Sequence, residues 1–354
     1  MSMRLCGGAW LNQQIASACA GGIRRLTVSE DLEIEATVLL PSDFHLTLRD
    51  CTLRMAAGTF CNMFRNEHAQ DHQGDSHIVL EGINATLDGG EYNGLTEQES
   101  VKPDKPSMTV QNTILLAHVS YYEIKGLRII NQRWWGINQY ACDHGYLHDL
   151  DFMADDRRYD ENGQLVHGLD WDKPYMSIYV RNADGIDLRR GCHDILIENI
   201  TGFTEDDTVA MTLLNGRGEK EYVRPGTCPD ICNIIVRHIH AAAFCSLVRV
   251  LSQSDGQLHH VMIEDVVEQD YGKEHYVRSI HGIRVGDDYL YGLQPNTEDC
   301  VHHLQARHIY SGGRTVLQLI GKMRDCCFED LKATDSETVL LDQKASGTNI
   351  FVEV

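Results

Sequence analysis

An all-β chain wound as a right-handed parallel β-helix, with a short helix capping its N-terminal end, is predicted by three observations. A short run recurs in which apolar positions flank a polar pair, as in Tyr122-Glu123-Ile124-Lys125-Gly126-Leu127 and Val261-Met262-Ile263-Glu264-Asp265-Val266. Copies lie about 22 to 27 residues apart, or farther apart where polar insertions intervene. Beyond residue 25, no stretch settles into a 3.6-residue period. Leucine-rich repeats share the spacing, but their L-x-x-L-x-L pattern and helical segments are missing here, so stacked strands are expected.

Residues 9–22 form the one helical segment, with apolar residues at helical spacing and Gly21-Gly22 as its stop. Such a helix would cover the first rung, which is otherwise an exposed strand edge. Coils then run over residues 25–345, with loop insertions near 155–173, 216–229 and 286–300. With no Pro- or Ser-rich linker, residues 1–354 read as a single domain. In a solenoid, equivalent positions on successive coils stack at strand spacing, so function is sought in residues one coil apart.

Composition narrows the partners. A net charge of −21 argues against nucleic acid and anionic membranes, both of which reward a basic face. No apolar run reaches the ~18–20 residues of a membrane span. Asn12, Gln13 and Gln14 break any apolar leader, so a cytoplasmic location is expected. The twelve cysteines are spread through the chain without a C-x-x-C pair, and most are read as reduced, buried fillers. No cofactor or metal is expected. Treated as strand pairs, His259-His260 and His302-His303 alternate faces, and His238 with His240 lacks a third ligand. Asp287-Asp288 and Asp155-Asp156 read as solvated turn residues.

The densest chemical signal is acidic. Asp184, Asp187, Glu205, Asp206 and Asp207 fall in one short, strand-rich window. With a coil of about 22 residues, Asp184 and Asp206 occupy the same position on neighbouring rungs, roughly 5 Å apart. Carboxylates so crowded cannot all ionise freely, so one should hold a proton near neutral pH while the others act as bases. Asp-Gly is also a common turn signal, and that plainer reading stays open.

The segment Asn182-Ala183-Asp184-Gly185-Ile186-Asp187 resembles the N-T-D-G-[IF]-D of family 28 glycoside hydrolases, the polygalacturonase group of the pectin lyase-like β-helices. Ile197-Glu198-Asn199-Ile200 with Glu205-Asp206-Asp207-Thr208-Val209-Ala210-Met211 is similar to the I-E-N…G-D-D-C-I-A-I of that family. His281-Gly282-Ile283-Arg284-Val285-Gly286 is similar to N-G-[VI]-R-I-K, and Leu87-Asp88-Gly89-Gly90 to T-L-D-G-x-G. The resemblance implies a glycosidase that inverts anomeric configuration on a carbohydrate substrate. Asp206 would be the general acid, with Asp184 and Asp207 holding and activating water.

Departures from the pattern bear on the substrate. Ala183 replaces Thr, Glu205 replaces Gly or Gln, and the G-H-G expected near Cys245-Ser246-Leu247-Val248 has no histidine. Arg284 matches the Arg of R-I-K, while Gly286 stands at its Lys. Arg249 and Arg284 are the expected cationic contacts to sugar. Tyr289 is expected to stack on a ring, and His167 and Trp171 to line the site from the long insertion. Two alternatives stay open: a polysaccharide lyase or epimerase that uses the arginines to steady a uronate, and a β-helix that binds glycan without turnover.

Overall fold

A computed structural model describes residues 4–90, 107–154, 183–253, 255–270, 279–287 and 297–353, together with the short strands Arg158–Asp160, Leu165–Val166 and Ile178–Tyr179. It is a parallel β-helix. Long strands stack in parallel: Asp75–Asp88, Val119–Ile130, Asp143–Met153, His193–Thr204, Ile231–Ala243, Leu258–Glu268 and Val301–Ser311. Shorter strands make a second parallel stack, running through Ile114–Ala117, Ile137–Tyr140, Ile186–Leu188, Val209–Leu213, Ser246–Ser252 and His281–Val285. The last strands, Thr315–Ala333 and Val339–Val352, pass through both stacks without a break.

The polar pair of the repeat now has a structural meaning. Its second residue turns the corner in most of the long strands. Asp149, Asn199, His238, Asp265, His308 and Asp330 all have φ between 51° and 56°. Short polar side chains tolerate this left-handed conformation because they bond locally. The first residue of the pair forms a surface ladder in register, Glu198–Arg237–Glu264–Arg307–Glu329. Stacking places identical positions side by side, and alternating sign makes each contact attractive. Arg237 lies 2.6 Å from Glu198, and Arg307 2.8 Å from Glu264. The flanking apolar positions fill the interior, as in the column Leu147–Ile197–Val236–Ile263. Each such side chain contributes on the order of 2 kcal/mol of burial.

Left-handed corners also correct one expectation. His260 (φ 53°) and His303 (φ 50°) turn the chain, so the neighbouring histidines do not alternate faces as they would on a flat strand. The 216–229 insertion carries a short helix, Arg217–Tyr222. Three short antiparallel strands lie within residues 158–179. Cys51, Cys142, Cys192 and Cys326 are buried, whereas Cys6 and Cys228 are exposed and the other six are intermediate, so fewer cysteines are fillers than expected. Asp287 is buried rather than solvated, while Asp155, Asp156 and Asp288 lie outside the described residues.

The cap is the helix Gly7–Ala20, which buries Leu11 and Ile15 against the first coil. Its polar residues complete the strand edge. Asn12 donates to the Thr37 carbonyl (2.8 Å) and accepts from the Leu39 amide (2.8 Å). Glu35 accepts from the amides of Gly8 and Ala9, two donors that a helix start leaves without partners. A Cβ on Gly8 would lie 2.2 Å from the Ala36 carbonyl oxygen, so this close approach requires glycine. Among the described residues, no helix is long and apolar enough to cross a membrane.

Candidate functional site

Asp184, Asp206 and Asp207 meet at the corner where the chain leaves the long strands and enters the short ones. Ile186 pairs with Val209, so this coil takes 23 residues rather than 22. The Gly185 amide bonds to the Asp207 carbonyl (2.9 Å), which sets Asp184 opposite Asp207 and puts Asp206 one residue earlier. The expected in-line pair of Asp184 with Asp206 is thereby corrected. All three still converge, because the amides of Glu205 and Asp206 both bond to the Ala183 carbonyl and fold the second turn over the first. The Asp207 amide donates to Asp184 Oδ1 (3.2 Å). One oxygen from each carboxylate lies within 4.8 Å of the other two.

The cluster is desolvated. Asp184 is 5% exposed and Asp206 is 9% exposed. Burial raises the Asp184 carboxyl well above its ordinary range, helped by the charges of Asp187, Asp206 and Asp207. Asp184 and Asp187 are hydrogen-bonded to each other, so a proton lies between the two carboxyls. Burial likewise lifts Asp187 to about 6, even though Arg189 opposes the shift. Asp207 is raised by burial and held back by Arg249 and by the Ser246 hydroxyl, which donates to it. The thiol of Cys245 donates to Asp206. Chemically, this is a set of close carboxyls that retains a proton near neutral pH beside carboxylates able to accept one.

The neighbouring coils furnish both walls. Toward the N-terminus, Arg189 forms a buried 2.6 Å ion pair with Asp187 and lies 4.0 Å over the Trp135 ring. The helix Arg217–Tyr222 covers the outer face of the short strands, where Tyr222 stacks on Tyr140 at 5.4 Å. Its buried Glu219 adds further negative charge around Arg189. Toward the C-terminus, the Asp184–Asp207 column continues through Ser246, His281 and Thr315. His281 Nδ1 lies 2.6 Å from Thr315 Oγ1, whose hydroxyl donates to the Ile280 carbonyl. Nδ1 is then the protonated nitrogen, and burial keeps the ring neutral with a pKa of about 3. Ser246 thus occupies the corner where histidine was expected, and a buried imidazole stands one coil farther on.

Arg249 and Arg284 are in register on adjacent coils. Arg249 is only 4% exposed, and its Nη1 donates to the carbonyls of Val250, Arg284 and Gly286. It braces this turn and biases Asp207. Arg284 opens onto a cleft of about 570 Å³ that is also lined by His281, Arg314, Gln318, Asp342 and Lys344. Gly286 has φ 82°, and a Cβ there would lie 1.9 Å from the Ile320 carbonyl oxygen. The backbone, rather than sugar chemistry, dictates glycine at that position. His167, Trp171 and Tyr289 lie outside the described residues.

The three aspartates also offer three oxygens to a hard divalent cation, about half of what Ca²⁺ takes. Sequence reasoning passed over Arg189, Glu219 and Ser246. Arg189 stands two residues after Asp187, a same-face spacing on a strand that carries the signal locally, whereas the contacts of Glu219 and Ser246 depend on how an insertion folds and on coil register.

No protein-family model and no curated protein matches the chain. Solved structures do. An exopolygalacturonase from Thermotoga maritima is 14% identical with a TM-score of 0.57, over 99% of this chain and 88% of that one. A double mutant of the tailspike protein of E. coli bacteriophage HK620, in complex with a pentasaccharide, is 12% identical with a TM-score of 0.66. That match takes in 97% of this chain and 61% of the tailspike. Likeness at these identities shows the fold.

Proposed function

We propose that this chain is a glycosidase that cleaves an oligo- or polysaccharide laid along the short-strand face. Asp206 delivers the proton to the leaving oxygen. Asp184 and Asp207, opposite each other on adjacent coils, hold the attacking water, and Asp207, beside Arg249, accepts its proton. The resemblance to family 28 implies inversion, although oxygens within 4.8 Å are nearer the spacing usual for retention. The observation that carries this reading is the convergence of three carboxyls within 4.8 Å, with Asp184 buried and raised well above its ordinary range. Crowding keeps a proton in the cluster, which titrates as a unit. The polygalacturonase and the pentasaccharide-bound tailspike, which share the fold, lend support.

The walls favour an anionic sugar entering from one side. Arg284, Arg314 and Lys344 outnumber Asp342 along the C-terminal cleft. The helix Arg217–Tyr222 covers the opposite end at Tyr140, which favours release of terminal units. The test is a panel of neutral and acidic oligosaccharides assayed for new reducing ends, with wild type and Asp206→Asn. The variant should lose roughly 10²–10⁴-fold in turnover while still binding. Equal turnover by both proteins refutes the assignment. Proton NMR of the first-formed anomer separates inversion from retention.

The arginine-lined cleft also suits a lyase that steadies a uronate carboxylate. An unsaturated product absorbing in the ultraviolet would replace hydrolysis with that reaction. Binding without turnover, unaffected by Asp184→Asn and Asp206→Asn, would indicate a glycan-binding protein.

A further inference from the structure

The ladder Glu198–Arg237–Glu264–Arg307–Glu329 runs down one face of the solenoid, bounded on each coil by two left-handed corners, such as Asp194 and Asn199. Two residues earlier on each strand runs a second outward row, Tyr146, Leu196, Ile235, Met262, Gln305 and Cys327. Leu196, Ile235 and Met262 are half-buried, and they line a groove of about 660 Å³ together with the corner residues Asp194, Asn233 and His260. Contiguous apolar side chains framed by charge mark an interaction surface. The acidic corner of Asp206 and Asp207 lies past the far end of these strands and takes no part.

The charges determine what fits. Arg237 and Arg307 stand out from the face, their side chains 39% and 50% exposed, whereas Glu198 and Glu264 are recessed at 11% and 23%. A two-fold axis lying in the face, parallel to the strands and midway between the coils of Arg237 and Glu264, sets a second copy face to face with its coil order reversed. Arg237 then meets Glu264 of the second copy, Arg307 meets Glu198, and His148 meets Glu329. Each protruding arginine lands on a recessed carboxylate. The apolar row lands on itself, Ile235 on Met262 and Leu196 on Gln305. Along the corners, Asp194 opposes His303 and His144 opposes Asp325. Within these six coils only Asp149 and Asp330 bring like charges together, both exposed and about 12 Å from the axis. Moving the axis one coil toward the N-terminus opposes Lys125 to Arg307 and Glu81 to Glu329. An axis along the solenoid keeps every residue level with its own copy, acid against acid.

We infer that this face joins two copies of the chain in an antiparallel, two-fold dimer. Six coils at about 4.8 Å, each contributing about four residues of strand, make a face of roughly 30 by 15 Å. That is about 450 Å² per copy, short of the roughly 800 Å² of a standard interface, so the dimer is weak and exchanges with monomer. Its ionic contacts make it sensitive to salt.

The test is sedimentation equilibrium of the whole chain, carried up to roughly 300 µM in low and high salt. Wild type should pass from monomer to dimer, and about 0.5 M NaCl should weaken the dimer at least about 10-fold. Ile235→Lys sets a charge against Met262 of the second copy beside the axis and should weaken it by at least about 10-fold, with the circular dichroism of the folded chain retained. A second variant, Arg307→Lys, keeps the charge ladder and supplies an amine for carbodiimide coupling. That amine should couple to Glu198. Within one chain the two positions are three coils apart, about 14 Å, too far for a bond formed without a spacer, so the product arises only between copies. A chain that stays monomeric throughout, a dimer indifferent to salt or to Ile235→Lys, or a trimer overturns the proposal. So does a coupled dimer of Arg307→Lys with no link from position 307 to Glu198.

Discussion

Replacing Arg189 with methionine should destabilise the fold by an amount that grows with pH. Arg189 and Asp187 form a 2.6 Å pair whose side chains are 6% and 0% exposed. With the guanidinium present, Asp187 titrates at about 6 instead of 3.8, so it is ionised at pH 7. A folded pKa raised above the unfolded one means that stability falls as pH climbs from the unfolded value, levelling off above the folded value. In wild type that loss stops growing near pH 6, at about 3 kcal/mol. Without its cation the buried carboxyl stays protonated, and the loss continues to roughly 4 kcal/mol at pH 7 and nearly 6 at pH 8. The gap between the two proteins therefore has a pH-dependent part near zero at pH 5, about 1 kcal/mol at pH 7 and nearly 3 at pH 8. A pH-independent offset of about 1 kcal/mol from the lost Trp135 contact is added throughout. Urea unfolding of both proteins at pH 5, 6, 7 and 8 measures it. A gap that stays constant or narrows toward high pH refutes the account of how Arg189 holds Asp187 ionised.

Other expectations follow from single contacts. Gly286→Lys, which would match the polygalacturonase pattern, should cost at least about 3 kcal/mol in thermal unfolding and bring no gain in uronate affinity, because its Cβ meets the Ile320 carbonyl. Arg237→Glu places three acids in line on adjacent coils and should cost roughly 1–3 kcal/mol, partly recovered by added salt. Asn12→Ala frees the Thr37 carbonyl and the Leu39 amide, costing about 1–2 kcal/mol and speeding hydrogen exchange at Leu39.

Much of the solenoid was legible because its repeat is local. The Lys125 and Glu264 positions, each followed by a corner residue, appear in the sequence as a polar pair between apolar residues. The cap was legible down to its Gly21-Gly22 stop, where the Gly21 amide bonds back to the Ser17 carbonyl and the Gly22 amide to the Cys19 carbonyl. The Asp206-Asp207 corner was legible as a motif, but its register was not. A single extra residue in the coil moved the partner of Asp184 from Asp206 to Asp207. The environment of the acids was hidden for a related reason. Glu219 and His281 reach it from an insertion and from a later coil, and insertion lengths that obey no period set their alignment. The histidine pairs were misread because a two-residue period holds only while φ stays negative, and His260 and His303 break it.

The alternating ladder Glu198–Arg237–Glu264–Arg307–Glu329 bears on how such a chain can change length. Removing the coil of Arg237 alone would bring Glu198 against Glu264, acid upon acid at a spacing of about 4.8 Å. Removing the coils of Arg237 and Glu264 together would join Glu198 to Arg307 and restore attraction. In this part of the solenoid, the interchangeable building block is a pair of turns of opposite polarity. Lengthening or shortening by an even number of turns keeps the seam intact, and an odd number breaks it.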